Sequence, residues 1–138
     1  MLPGSDPQPV PGFIAALRFR TDDVPGLMAR LRDSVALLGG FDGFVDARVG
    51  RAIDDDRLIV MEISWRTVGD YRRALSSFDV KVNVVPLLSQ AIDEPTAFEV
   101  LHVRDATGAL DATGALAADA SSVSLGSAAA DIVPPAPS

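Results

Sequence analysis

Few side chains in this sequence carry chemistry, and they are thinly spread. There is one tryptophan, Trp65, one tyrosine, Tyr71, and one histidine, His102. An indole can wall a flat ligand and donate one hydrogen bond, and a phenol can serve in the same way. An imidazole could act as a base near neutral pH. Arg18 could neutralise an anionic substrate, and Asn83 is a polar residue set in an apolar run that could reach a pocket. Each has a plainer alternative. Trp65 could be a core or dimer-interface aromatic, and Tyr71 a helix residue packing its ring on a sheet. His102 could be an edge-strand residue, Arg18 half of an inter-subunit ion pair, and Asn83 a side chain facing water.

Several chemistries are excluded. The chain has no cysteine, so it has neither disulfides nor thiolate chemistry. No His or Cys cluster has zinc spacing, and no Gly-rich phosphate loop occurs. Asp54, Asp55 and Asp56 are adjacent, and the glycine and distant glutamate of a calcium loop are missing. Arg51 lies across from them and suggests a local ion pair of small value. The formal charge of −7 argues against a partner bound through phosphates, so no nucleic acid is expected. No basic, apolar leader and no apolar run of membrane-spanning length is present, so a cytoplasmic protein without a membrane partner is expected.

The elements that would position these residues read clearly. From Phe13 to Arg20 the chain alternates, with Phe13, Ala15, Leu17 and Phe19 on one face and Ile14, Ala16, Arg18 and Arg20 on the other. Thr21-Asp22-Asp23 offers cap oxygens, and Val24, Met28, Leu31, Val35 and Leu38 recur at helical spacing up to Gly39-Gly40. Phe41 to Ala52 predicts a second strand, and Arg57 to Arg66 a third, joined as a hairpin through the acidic turn. Ile59, Met61, Ile63 and Trp65 share one face of the third strand; Leu58, Val60, Glu62 and Ser64 share the other. Thr67 and Asp70 form a variant capping box that opens a helix reaching about Ser77. Asp79 could cap a further helical stretch through Ala91, with Pro86 in a bend or first turn, and Ala97 to Val103 is the expected fourth strand.

This order, βαββαβ, predicts an α+β fold of the ferredoxin-like kind with a four-stranded antiparallel sheet. Both helices should pack on one face. The Ile59, Met61, Ile63 and Trp65 face, or its counterpart, is then expected to be covered by a second subunit, sheet against sheet. The domain is expected over 13–104. A disordered Pro-rich N-terminus is expected over 1–12, and a disordered acidic Ala/Ser/Pro-rich tail over 105–138. In that tail Asp105-Ala106-Thr107-Gly108-Ala109-Leu110 recurs unchanged at 111–116.

The run Trp65-Arg66-Thr67-Val68-Gly69-Asp70-Tyr71, then Arg72-Arg73-Ala74-Leu75-Ser76-Ser77 and Asp93-Glu94-Pro95-Thr96-Ala97-Phe98-Glu99-Val100, resembles the antibiotic biosynthesis monooxygenase family over about residues 13 to 103. The resemblance implies the dimeric α/β-barrel arrangement, a homodimer with facing sheets. It also implies a cavity in each subunit, between sheet and helices or at the sheet face. Family members include oxygenases that convert polycyclic phenols to quinones with molecular oxygen and no cofactor, and others that degrade haem. It implies that Trp65 and Tyr71 are pocket residues. Two positions depart from the pattern. Met61 stands where quinone-forming members have an asparagine, and Leu75 stands where haem-degrading members have a histidine ligand, so haem is not expected.

Two functions follow. One is a cofactor-independent monooxygenase acting with O2 on an aromatic phenol. There Trp65, Tyr71 and His102 would be catalytic, and Arg18, Met61 and Asn83 would lie at the substrate. The other is a non-catalytic dimeric binding or scaffold protein of the same fold, favoured by the missing asparagine and histidine. No metal is expected in either.

Overall fold

A computed structural model describes residues 10–111. Residues 1–9 and 112–138 lie outside the described residues, and with them most of both expected tails. The elements are β1 (Phe13–Arg20), α1 (Val24–Leu38), β2 (Phe44–Ala52), β3 (Asp55–Trp65), α2 (Val68–Ser76), α3 (Phe78–Asn83), α4 (Val85–Leu88), β4 (Ala97–Glu99), β5 (His102–Asp105) and β6 (Gly108–Asp111). The first four strands form one antiparallel sheet in the order β2-β3-β1-β4. This is the expected α+β, ferredoxin-like architecture.

Local chemistry sets each helix start. Asp23 caps α1 by accepting from the Gly26 amide, with Pro25 in the first turn, where its missing N–H costs nothing. Thr67 caps α2 by accepting from the Asp70 amide at 3.0 Å. Ser77 ends α2 in extended backbone and also caps α3, accepting from Val80. The expected cap at Asp79 is therefore displaced by two residues, because Ser77 alone has the extended backbone that aims its oxygen back at the helix amides. Pro86 lies in the first turn of α4.

The helices lie on the face of the sheet that carries Phe13, Ala15, Leu17 and Phe19 from β1 and Ile59, Met61, Ile63 and Trp65 from β3. Every one of these is essentially fully buried within a single chain. The expectation that a second subunit must shield the tryptophan face is thus corrected. The chain's own Leu27, Leu31, Leu38, Val68, Tyr71, Val80 and Leu88 cover it. The physical reason lies in the alternation. In the two central strands this face carries no charge, whereas their opposite face carries Arg18, Arg20 and Glu62, which would lose their water beneath the helices.

That opposite face is the open one. Ile14, Ala16, Leu58 and Val60 are half-buried at its centre, and Phe98 is exposed beside them. Ion pairs frame it: Arg18–Glu94 at 2.8 Å, Arg20–Asp55 at 2.6 Å and Arg48–Glu62 at 3.6 Å. Being solvent-exposed, each adds little stability.

Three boundaries differ from the sequence expectation. The β2–β3 turn is Ile53-Asp54, so β3 begins inside the acidic run. β2 begins at Phe44, after a loop that turns through Gly43 at φ 88°. The fourth strand is short. It pairs with β1 only from Ala97 to Glu99, because β1 begins at Phe13 and offers no further partner beyond the Val100–Gly12 hydrogen bond at 3.0 Å. Past that point the chain pairs with itself as the β5–β6 hairpin, turned by Asp105, whose Oδ1 accepts from the Thr107 and Gly108 amides.

Gly43 combines a left-handed backbone with contact to Asp70, into which any Cβ at this position would project. Gly43→Ala should destabilise the protein by at least about 1–2 kcal/mol in urea unfolding, the cost of the left-handed conformation alone. Gly50→Ala, whose Cβ would meet only Val60 at 3.7 Å, should show no comparable loss. Equal effects from the two would contradict the assignment.

Candidate functional site

The strand registers place four side chains in one row across the helix-covered face. Phe13 pairs with Glu99 on one side and with Trp65 on the other, and Trp65 pairs with Phe44. From β4 to β2 the row reads Glu99, Phe13, Trp65, Phe44. Tyr71 from α2 roofs it. Its ring centroid lies 4.9 Å from that of Phe13 and 5.7 Å from that of Trp65. Phe44 meets the indole edge-on, at 5.6 Å and 85°. Such tilted and edge-to-face contacts suit the ring quadrupoles and fix the rings in place.

The roof is held by a buried carboxylate. Asp70, one turn into α2, is 3% exposed. Its Oδ1 accepts from the Arg73 guanidinium, and its Oδ2 lies 3.2 Å from Arg66. The Arg66 amide donates to the Gly43 carbonyl at 2.7 Å. Burial pushes the Asp70 carboxyl up. The hydrogen bonds from Arg73 and Thr67, with the charges of Arg66 and Arg73, outweigh burial and hold it below its ordinary value.

Among the described residues three side-chain polar atoms are buried without a hydrogen-bond partner: Oδ2 of Asp70, which has the charge of Arg66 3.2 Å away, and, on the sheet row itself, the indole Nε1 of Trp65 and Oε2 of Glu99. Buried polar groups are nearly always satisfied, so two orphans on one sheet row mark a place where a ligand atom could supply what the protein does not. Burial also pushes the Tyr71 phenol well above its usual value, so it stays protonated and can only donate or accept as a neutral group. The rings touch one another, so a flat ligand must part them to enter.

The predicted site residues divide into two groups. Trp65 and Tyr71 are brought into contact. Met61 is on the same face, four residues back along β3, or about 13 Å at strand rise. Its thioether lies between Leu17 and Val49 in the registers and adds no hydrogen-bonding group. Arg18 is on the opposite face, bound to Glu94 through two hydrogen bonds of 2.8 Å. That pairing holds the Glu94 carboxyl below its usual range. Asn83 is exposed at the end of α3, and His102 is exposed in β5, beyond the sheet. None of these three joins the Trp65 row. His102 was expected inside a long fourth strand; the early end of β4 carries it into the separate hairpin.

Glu99 was absent from the sequence-based candidates. It is legible only through the β1–β4 register, which no local pattern reveals. Among the described residues no group of three or more His, Cys, Asp or Glu side chains could hold a metal ion, and no helix is long and apolar enough to cross a membrane.

No protein-family model and no curated protein matches the chain. Solved structures do. The chain is similar to SnoaB, a cofactor-independent oxygenase from Streptomyces nogalater. The identity is 21%, covering 70% of this chain and 96% of SnoaB, with a TM-score of 0.57. A conserved protein from Methanosarcina mazei is 18% identical over 67% of this chain and 95% of its own, with a TM-score of 0.55. A candidate antibiotic biosynthesis monooxygenase from Bordetella bronchiseptica is 16% identical over 64% and 96%, with a TM-score of 0.50. At these identities the likeness is one of fold. That fold is the one expected from the sequence, and its neighbours include SnoaB and candidate antibiotic biosynthesis monooxygenases.

Because the Asp70 carboxyl titrates lower in the folded than in the unfolded chain, its contribution to stability is complete at neutral pH. It falls as pH drops below the ordinary aspartate value near 3.8 and is lost below the folded value. Asp70→Asn should lower unfolding free energy at pH 7 by about 1–3 kcal/mol, the range for hydrogen bonds to charged groups. The gap to the parent protein should narrow on acidification toward pH 3. A gap independent of pH would show that Asp70 does not act through its charge.

Proposed function

We propose that this protein is a cofactor-independent oxygenase of flat, electron-rich phenols, with its site at Trp65 and Tyr71. The observation that carries this reading is the unsatisfied Nε1 of Trp65, an N–H donor held in a water-excluding aromatic layer. A donor so placed stabilises an anionic oxygen far better than one in water, since nothing else competes for it. The fold shared with SnoaB, a cofactor-independent oxygenase, supports the same reading.

The chemistry asks little else of the protein. A phenol or its keto tautomer loses a proton and becomes an anion, with its oxygen at the indole N–H. The anion gives an electron to O2, the resulting pair combines at carbon to a peroxide anion, and this takes back a proton to become a hydroperoxide. For anthrone, loss of water then turns the ring CH2 into a carbonyl. One oxygen atom stays in the quinone, and the other leaves in water. Phe13, Phe44, Trp65 and Tyr71 hold the rings flat and keep solvent out. The protein is proposed to act in the cytoplasm as a homodimer. Its partner would cover the open sheet face at Ile14, Val60 and Phe98.

A second reading has its own support. The rings of Phe13, Trp65 and Tyr71 fill the space between sheet and α2, and Met61 supplies no polar group. A non-catalytic dimeric binding or scaffold protein would look the same.

Oxygen uptake with anthrone separates the two. The oxygenase should consume O2 and form anthraquinone faster than buffer. Trp65→Phe should cut kcat about 100-fold, as loss of one anion-stabilising donor does. Uptake equal to that of a Trp65→Phe, Tyr71→Phe double variant would favour the binding protein. For the assembly, sedimentation should give a dimer at micromolar concentration, and Val60→Asp on the open face should give a folded monomer. A parent protein that sediments only as a monomer removes the homodimer.

A further inference from the structure

We propose that Glu99 is the proton acceptor of the Trp65 site, a catalytic residue that abstracts the substrate proton; this rests on the oxygenase reading above. Glu99 ends β4, the edge strand, and sits in register beside Phe13 on the helix-covered face, in the row that carries Trp65. Its Oε2 is buried and accepts no hydrogen bond, and among the described residues no ion pair engages it. A carboxylate oxygen held in this way has no protein donor competing for it, so it is free to accept from a substrate hydrogen.

The other candidates are occupied or elsewhere. Asp70, a fully buried carboxylate, is taken by Arg66 and Arg73. Tyr71 is a buried neutral phenol. His102 is exposed in the β5–β6 hairpin, and Arg18 lies on the opposite face. Neighbouring strands lie about 4.8 Å apart, so Glu99 and Trp65, two strands apart, have backbones about 10 Å from one another. A substrate of two or three fused rings lying over Phe13 would present one edge to each. The base and the anion-stabilising donor thus stand on either side of Phe13 in one row, and the substrate would take its place there by displacing the Tyr71 ring from Phe13.

The step balances without any further reagent. The substrate C–H or O–H bond breaks, and its electron pair remains on the substrate as an enolate or phenolate. The Glu99 carboxylate becomes a carboxylic acid, and the Trp65 N–H donates to the new oxyanion. No electron passes to or from the protein. Glu99 is half-buried at the sheet edge, so its proton can pass on to solvent.

The test uses the full chain and anthrone, in two arms. Without O2, the parent protein should generate the absorption band of the anthrone anion at neutral pH, and Glu99→Gln should not. With O2, Glu99→Gln should lower kcat about 100-fold or more with KM changed by less than about threefold, since a positioned base contributes at least that much. Glu99→Asp, which keeps the carboxylate but retracts it, should recover part of the rate; should the Gln variant not fold, Asp carries the test through its kcat at an unchanged Tm. A Gln variant that keeps the anion band and a kcat within about threefold overturns the assignment of Glu99 and leaves the oxygenase reading intact. So does an Asp variant of unaltered kcat where Gln does not fold. A parent protein that neither forms the anion nor consumes O2 removes both.

Discussion

An N–H donor buried without an acceptor costs the folded chain about 1–3 kcal/mol. At Trp65 that cost is imposed by the packing that holds the molecule together. The indole lies under Tyr71, against Phe44 and beside Phe13, at the junction of β1, β3 and α2. Turning it toward a polar partner would open the layer that joins helix to sheet. The protein therefore keeps an unsatisfied donor inside a fully buried aromatic layer. The neighbouring unsatisfied oxygen of Glu99 is of the opposite kind, an acceptor, on the same row. The two are separated by the Phe13 strand and do not cancel one another. A ligand with an anionic oxygen at one end and an acidic hydrogen at the other would satisfy both.

The polar framework of α2 explains why the roof over this row is well placed. Thr67, Asp70, Arg66 and Arg73 form one charged, hydrogen-bonded knot at the start of the helix. Gly43 lets the loop before β2 pass close against it, through the Arg66 amide and the Asp70 side chain. The knot is peripheral to the rings but sets where Tyr71 stands. Its removal should disturb the site through position rather than through chemistry. Asp70 is for this reason a structural carboxylate, while Oε2 of Glu99 has no hydrogen-bond partner among the described residues.

Much of this was legible in the sequence. The alternation of Phe13 to Arg20, the spacing within α1, the β2–β3 hairpin and the Thr67 cap each arise from local patterns that tertiary packing did not override. The contact between Trp65 and Tyr71 follows from the same short stretch, because a strand end and the first turn of the next helix must be neighbours. What failed was long-range. Alternation divides a strand into two faces but does not say which one the helices take. The face on which β1 and β3 carry no charge went to the helices, and the face with Arg18 and Glu62 stayed open. The fourth strand read as continuous because Ala97 to Val103 is apolar enough to extend. Its end is set by the start of β1, a constraint from a distant segment. The placement of His102 outside the sheet and of Glu99 beside Phe13 both follow from that one register.

The account makes the Trp65 N–H an unused donor that waits for a substrate oxygen. The chain has a single tryptophan, so one indole N–H resonance reports on it directly. In a nitrogen–proton correlation spectrum of the isotopically labelled protein, recorded without O2, that resonance should lie at the position of a non-hydrogen-bonded indole. Adding anthrone should move it downfield in a saturable way as the N–H gains an acceptor. A resonance already at the hydrogen-bonded position, or one that saturating anthrone leaves unmoved, would contradict the account.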